Sequence, residues 1–375
     1  MKAVNTNKPK ILIVGSHPPP YGGIAVLVKE TLNSRLKDKY DLIHCRTGSR
    51  DITVAQEETY IQSIIRLIYD YLSLIYLLVK HSPRVVNLYS PAFLGFWSKS
   101  ILAIVSKLFG KKTVIHIHSA KFDSWYNNAS QTKKWLIRFL LNRVDIIVIE
   151  GEIWKTFFKQ IVPESKLVII PNCVHLSNFK KTKKSKRENK ISVLFPGSLC
   201  ERKGVFDILK AVSLVVKEEK NIKFIFGGRS SNEEEIKILE IIKSQHLENY
   251  TAFIGEYTDK NKSEIYGSAD IFILPSYAEG LPISMLDAMA LGLPIISTRV
   301  GAIPEVIDDR VNGFLIEPGD YKALAKRILI LTTDRNLREK MGKNNIEKIK
   351  KNYDFSIMVK NFDELQQRLL KENGK

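Results

Sequence analysis

In the first half of the chain, apolar and β-branched residues gather into short runs at positions 10–14, 41–45, 85–88, 113–118, 145–149 and 167–170. Stretches with helical spacing of apolar residues separate them, at 24–36, 58–80, 95–108, 133–142 and 152–160. Short strands of this type alternating with helices predict a parallel sheet covered on both faces. The run KKTKKSKRENK at 180–190 holds seven basic residues and no apolar one. It can bury nothing and reads as an exposed linker. The alternation then restarts, with strands expected at 191–195, 223–226, 252–254, 271–274, 294–297 and 313–316. Helices are expected at 205–219, 233–245, 260–268, 284–290 and 321–331, with two more at the end. The fold class predicted is α/β, with two Rossmann-like, doubly wound domains. They are placed at 1–176 and 191–353, joined through 177–190. A ligand is expected in the cleft between them, at the carboxyl ends of the strands.

The length of 375 residues suits two domains. With 44% hydrophobic and 26% charged residues, the chain is globular rather than disordered or fibrous. Its net charge of +18 is unevenly spread. Residues 1–190 carry 31 basic and 13 acidic side chains, whereas residues 191–375 carry 27 of each. Cys45, Cys173 and Cys200 are too few and too scattered for a disulfide framework or a zinc site, so a reducing cytoplasm is expected. The start, MKAVNTNKPK, is polar, and no signal peptide is expected. The most apolar long stretch, 64–79, is interrupted by Arg66 and Asp70. Sixteen helical residues reach about 24 Å, short of a bilayer core. A crossing helix is therefore not expected, although the protein can lie on a membrane.

Several short motifs carry candidate chemistry. After the first strand, a proline-stiffened loop ends in Gly22-Gly23 before a helix. Paired glycines let the backbone approach a ligand, and helix amides suit phosphate; a plain turn is the alternative. His116 and His118 share one face of their strand. His118, at its last position, is the better functional candidate, and no metal site is suggested. The first strand of the second half leads into Pro196–Gly204, with Arg202 and Lys203 adjacent before a helix. That is a diphosphate-binding arrangement, or else a solvated loop. Glu279 stands before a helix and Asp287 inside it, eight residues apart. Pro282 sits where the helix should start. The helix N-terminus between the two acids favours anions. The alternative makes Glu279 a cap and Asp287 a surface charge.

Together these features resemble glycosyltransferase family 4, the retaining GT-B enzymes among the group 1 glycosyl transferases. The resemblance is strongest over 191–320. It implies that Gly22 and Gly23 approach the donor diphosphate and that His118 lies near the donor sugar and the reacting centre. Lys203 matches the family's diphosphate lysine. The family often has an arginine where this chain has Ser198, so Arg202 is the expected substitute. The E-x7-E motif appears as Glu279-x7-Asp287. By resemblance Glu279 approaches the sugar hydroxyls, the amides around Leu281, Ile283 and Ser284 approach the phosphates, and Asp287 grips the ribose. Asp287 is one methylene shorter than the usual acid. Gly228 is assigned to the donor side as well. The last helix, 354–375, is expected to cross back to the first domain; Phe355, Met358, Val359, Phe362, Leu365 and Leu369 give it one apolar stripe.

The resemblance implies retaining transfer of a sugar from a nucleotide-sugar, with a UDP-sugar favoured. Without an Asp-x-Asp motif, cations and helix amides are left to neutralise the leaving diphosphate. No metal and no cofactor are expected. Retention often uses a carboxylate nucleophile; none is clearly placed here, so a front-side route is expected. The acceptor implied is a lipid-linked glycan of bacterial surface-polysaccharide assembly. A nucleotide-sugar epimerase or hydrolase is the alternative. A nucleic-acid binder is suggested by charge alone, but the sequence has no base-reading basic helix, zinc finger or RNA-binding aromatic signature. The excess charge at Lys111-Lys112, Lys133-Lys134 and 180–190 lies beside Trp97, Trp125, Trp135 and the apolar helix. Such a surface suits an anionic membrane, and the inner face of the plasma membrane is the expected location.

Overall fold

The computed structural model describes residues 8–19, 22–48, 60–179 and 190–372. The first seven residues and positions 180–189 of the expected linker lie outside them. The chain divides into two compact units, Met1–Asn172 with Ser356–Lys375, and Cys173–Phe355.

The first unit holds a six-stranded sheet in the order β2-β1-β3-β4-β5-β6. Its strands are β1 Lys10–Gly15, β2 Asp41–Arg46, β3 Val85–Ser90, β4 Lys112–Ile117, β5 Ile146–Ile149 and β6 Leu167–Ile169. The second unit holds another, in the order β12-β11-β10-β7-β8-β9. These strands are β7 Ile191–Pro196, β8 Ile222–Gly227, β9 Thr251–Gly255, β10 Ile271–Leu274, β11 Ile295–Thr298 and β12 Gly313–Ile316. All pairings within both sheets are parallel. β3, β5, β10, β11 and β12 are buried at every position. That is the consequence of helices on both sheet faces, and it explains why these strands read as unbroken apolar runs.

The last helix, Phe355–Glu372, packs most of its length on the first unit. Its buried stripe is Met358, Phe362, Leu365 and Leu369. Each such side chain contributes roughly 1.5–3 kcal/mol. Polar contacts set its register: the Asn87 and Gln366 amides bond to each other at 3.2 and 3.1 Å, and the Tyr40 hydroxyl donates to Asp363 at 2.6 Å.

Three local features differ from the expectation. The first helix breaks into Gly23–Asn33 and Leu36–Lys39 because Ser34 caps the junction. Its hydroxyl donates to the Thr31 carbonyl and accepts from the Leu36 amide, so a side chain takes over backbone partners. A short helix at Phe122–Asn127 was not anticipated. The apolar stretch 64–79 lies within a helix, Tyr60–His81, of 22 residues, which, contrary to the expectation, is long and apolar enough by length and composition to cross a membrane. It packs against β2 and the helix Leu94–Leu108, with Asp70, Leu74 and Leu78 buried.

Candidate functional site

The second sheet grows outward from β7 in both directions: β8 and β9 on one side, β10, β11 and β12 on the other. The topological switch point therefore lies between β7 and β10, where loops diverge and leave a crevice at the carboxyl ends. The loop after β7 carries Arg202 and Lys203, and the loop after β10 carries Glu279. Lys203 Nζ donates to Glu279 Oε1 at 2.6 Å, joining residues 76 positions apart in sequence. The Arg202 guanidinium lies 4.0 Å from the same oxygen and donates to the Ala278 carbonyl at 2.9 Å. The Tyr277 amide returns a bond to the Arg202 carbonyl at 2.8 Å. The two loops are thus stitched through both backbone and side chains.

Glu279 and Lys203 are largely buried, with 7% and 15% of their side chains exposed. An ammonium offers three donors and Glu279 takes one here, so the group can serve an anion as well. Glu279 does not cap the following helix. Pro282 holds the N-cap position of Ile283–Ala290, with no side-chain cap bond. A helix leaves its first amides without intrahelical acceptors, which places those of Ile283 and Ser284 beside the cationic loop's partner. Leu281 is buried just before them.

Asp287 lies on that helix and is buried, not a surface charge. Lys262 reaches it at 3.0 Å, a partner that no motif announces. Nearby, burial raises the Tyr257 and Tyr266 phenols, with Asp287 adding to the effect, and their hydroxyls bond at 3.1 Å. The Tyr277 phenol, donating to Asp207 at 2.7 Å, is pushed up to about 12, chiefly by that bond. Gly228 follows β8 with φ at +138°, and a Cβ there would sit 1.9 Å from the Gly197 carbonyl oxygen. Its lack of a side chain lets the loops after β7 and β8 meet.

In the first unit, Gly22 is the N-cap of the helix Gly23–Asn33, in extended backbone, with open space where a Cβ would be. Pro20 and Tyr21 of that loop lie outside the described residues. β4 ends at Ile117, so His118 is the first residue beyond it rather than its last. Its amide still bonds to the Ser90 carbonyl at 3.0 Å. The two histidine rings do share a face, stacked 6.3 Å apart. His116 is a structural group. It bonds to Asn87 at 3.1 Å, stacks on Tyr89, and burial drives its pKa well below the usual value. His118 instead meets Glu150, at 2.8 Å through Nδ1. Glu150 was not anticipated. It stands one residue past β5 as His118 stands one past β4, and those strands are neighbours. Among the described residues, no group of three or more His, Cys, Asp or Glu is arranged to hold a metal ion.

Two parallel six-stranded sheets in this arrangement define the GT-B fold of glycosyltransferases. A sucrose-phosphate synthase from Thermosynechococcus elongatus superposes with a TM-score of 0.83 at 15% identity, over 97% of this chain and all of the other. Anabaena HepE, solved in complex with UDP, superposes with a TM-score of 0.76 at 18% identity, over 96% of this chain and 100% of that one. Residues 177–348 match the family described as glycosyl transferases group 1. Among curated relatives, the N-acetyl-alpha-D-glucosaminyl L-malate synthase of Bacillus anthracis is 29% identical over 57% of this chain, which spans about half (49%) of that protein. The capsular polysaccharide biosynthesis glycosyltransferase CapM of Staphylococcus aureus is 24% identical, over 64% of this chain and 67% of its own length.

Proposed function

We propose that the protein is a glycosyltransferase that moves a sugar from a nucleotide-sugar to a hydroxyl of an acceptor, with retention at the anomeric carbon. The observation that carries the reading is the meeting of Lys203 with Glu279 at the switch point, beside the start of the helix Ile283–Ala290. The group 1 match over the same loops supports it. The donor favoured is a UDP-sugar, in keeping with UDP bound to the structurally similar HepE. The acceptor favoured is a lipid-linked glycan of bacterial surface polysaccharide, in keeping with the name of the CapM relative.

In this reading Lys203, Arg202 and the amides of Leu281, Ile283 and Ser284 hold the diphosphate, with Gly228 giving its surroundings room. Positive charge fixed in advance stabilises the leaving group as its charge develops, without a metal ion. Glu279 orients the sugar hydroxyls. Departing phosphate takes the acceptor proton on the same face, which accounts for retention without a carboxylate nucleophile. The test is a nucleotide-sugar panel scored for released nucleotide, with and without acceptor, in EDTA, and with the product anomer read by NMR. Acceptor-dependent release with retained configuration is expected. Equal release without acceptor, or recovery of an epimerised sugar, would turn the reading to a hydrolase or an epimerase.

Asp287 is proposed to accept from the ribose hydroxyls. Loss of a charge-assisted hydrogen bond is worth about 1.5–3 kcal/mol. Asp287→Asn should therefore raise the donor KM roughly tenfold or more, with a smaller change in kcat. A donor KM unchanged within error would remove Asp287 from the ribose site.

We also propose that the first unit rests on the cytoplasmic face of an anionic membrane. The supporting surface is the helix Tyr60–His81, which exposes Ile61, Ile65, Ile68, Leu72, Tyr76 and Val79. Trp135 is exposed as well, whereas Trp97 and Trp125 pack edge-to-face within an aromatic cluster around Phe96. The burial of Asp70, Leu74 and Leu78 supports a helix that lies on a bilayer rather than one that crosses it. Surface Lys and Arg add about 1 kcal/mol each on an anionic leaflet. Flotation should show stronger binding to anionic than to neutral liposomes, and the Leu72→Asp, Tyr76→Asp pair should abolish it. Equal binding to both lipids would refute the electrostatic part.

A further inference from the structure

We infer that Glu150 is a positioning residue that fixes the tautomer and orientation of His118, so that Nε2 is presented as a hydrogen-bond acceptor to a substrate hydroxyl. An ionised carboxylate only accepts hydrogen bonds. Its contact at 2.8 Å therefore requires the proton on His118 Nδ1. The neutral ring then has an unprotonated Nε2. That atom is buried and has no hydrogen-bond partner among the described residues. A buried acceptor without a partner is costly, and one aimed by its neighbours is the kind a ligand satisfies.

The surroundings fix the ring firmly. Only 10% of the His118 side chain and 5% of the Glu150 side chain are exposed. Tyr89 and His116 lie parallel to the imidazole at 5.7 and 6.3 Å, with interplanar angles of 6° and 5°. Rotation of the ring out of this stack would lose both contacts. Glu150 is fixed in turn by Asn172, whose Nδ2 donates to the same Oε1 at 2.8 Å. That oxygen thus faces two N–H donors at once.

This geometry makes an unusual demand on the conservative variant. In Glu150→Gln the orientation that puts the amide oxygen where Oε1 stands keeps both the His118 Nδ1–H and the Asn172 donor bonded. The Glu150→Gln variant therefore preserves the Nδ1–H tautomer of His118, whereas Glu150→Ala releases it. A merely structural carboxylate would show no such link between ring tautomer and turnover.

The experiment is long-range proton–nitrogen NMR of the full-length protein labelled with 15N-histidine, with His118 assigned by difference against His118→Gln. It is paired with steady-state kinetics on the best donor and acceptor. Wild type and Glu150→Gln should show an unprotonated Nε2, and Glu150→Ala a shift toward the Nε2–H form. Glu150→Ala should lower kcat about tenfold, as expected for one lost hydrogen bond, with donor KM within about twofold. Glu150→Gln should recover most of that loss. The kinetic arm rests on the proposed sugar transfer; the spectroscopic arm does not, so a failure of that reading leaves the tautomer result intact. A protonated Nε2 in wild type, or an unchanged tautomer in Glu150→Ala, would overturn the inference. So would a changed tautomer with unchanged kcat.

Discussion

Lys203→Ala should reduce sugar transfer at least a hundredfold, and Glu279→Ala should do so as well. A fixed donor at a developing charge is worth about 10²–10³ in rate, and Lys203 is placed as one. Either single change also breaks a buried ion pair: Lys203→Ala leaves Glu279 with the more distant Arg202 guanidinium at 4.0 Å, and Glu279→Ala removes the carboxylate to which Lys203 donates. That costs stability, by about 3–5 kcal/mol for a fully buried pair, and the residual exposure of Lys203 makes the cost here smaller. Circular dichroism and thermal melting must therefore accompany the assay. The combined variant Lys203→Met, Glu279→Gln separates the two effects. It keeps the volume of both side chains and removes the imbalance of charge. Its melting point should return toward wild type while transfer stays lost. Near wild-type rates in a folded single variant would remove the pair from the active site.

Gly301→Ala should give a large structural effect for a single methyl group. Gly301 has φ at +53°, and a Cβ there would lie 1.9 Å from the Glu279 carbonyl oxygen and 2.7 Å from that of Gly280. The loop holding Glu279 is also tied by the Ala302 amide, which donates to the Gly280 carbonyl at 3.0 Å. Left-handed backbone at a residue other than glycine costs about 1–3 kcal/mol, and overpacking adds about as much. The variant should melt well below wild type. At a temperature where it is still folded, it should have weakened donor binding, because relief of the clash moves Glu279. A melting point within a degree of wild type and an unchanged donor KM would show that this turn does not set the position of Glu279.

The sequence carries the architecture clearly, because fully buried parallel strands are written as apolar runs that helices interrupt. The strand at 271–274 is legible to the residue as β10. The end of β4 is misjudged by one residue, since His118 keeps the ladder bond to Ser90 after the strand has ended. The chemistry is legible where it is local. The spacing from Glu279 to Asp287 and the adjacency of Arg202 and Lys203 are visible in a linear string. What the string hides is strand order. Lys203 reaches Glu279 because β7 and β10 are neighbours, although β8 and β9 intervene in sequence. Glu150 escaped notice for the same reason: its partner His118 lies just beyond the neighbouring strand, 32 residues away. The rule that would have found it is to pair the first polar residues beyond adjacent strands. Asp287 was hard to judge because a lone acid on a helix looks the same whether it faces water or Lys262. The exposed face of Tyr60–His81 was hidden too, since an apolar helix is written alike in a core and on a surface.

The central claim is that a nucleotide diphosphate binds where Lys203 meets Glu279. Isothermal titration of UDP, GDP and ADP into the wild-type protein and into the Lys203→Met, Glu279→Gln variant tests it most directly. The expected result is binding of UDP in preference to the others, with affinity falling at least tenfold in a variant that melts like wild type. Equal UDP affinity in the two proteins, or no binding of any of the three nucleotides to wild type, would contradict it.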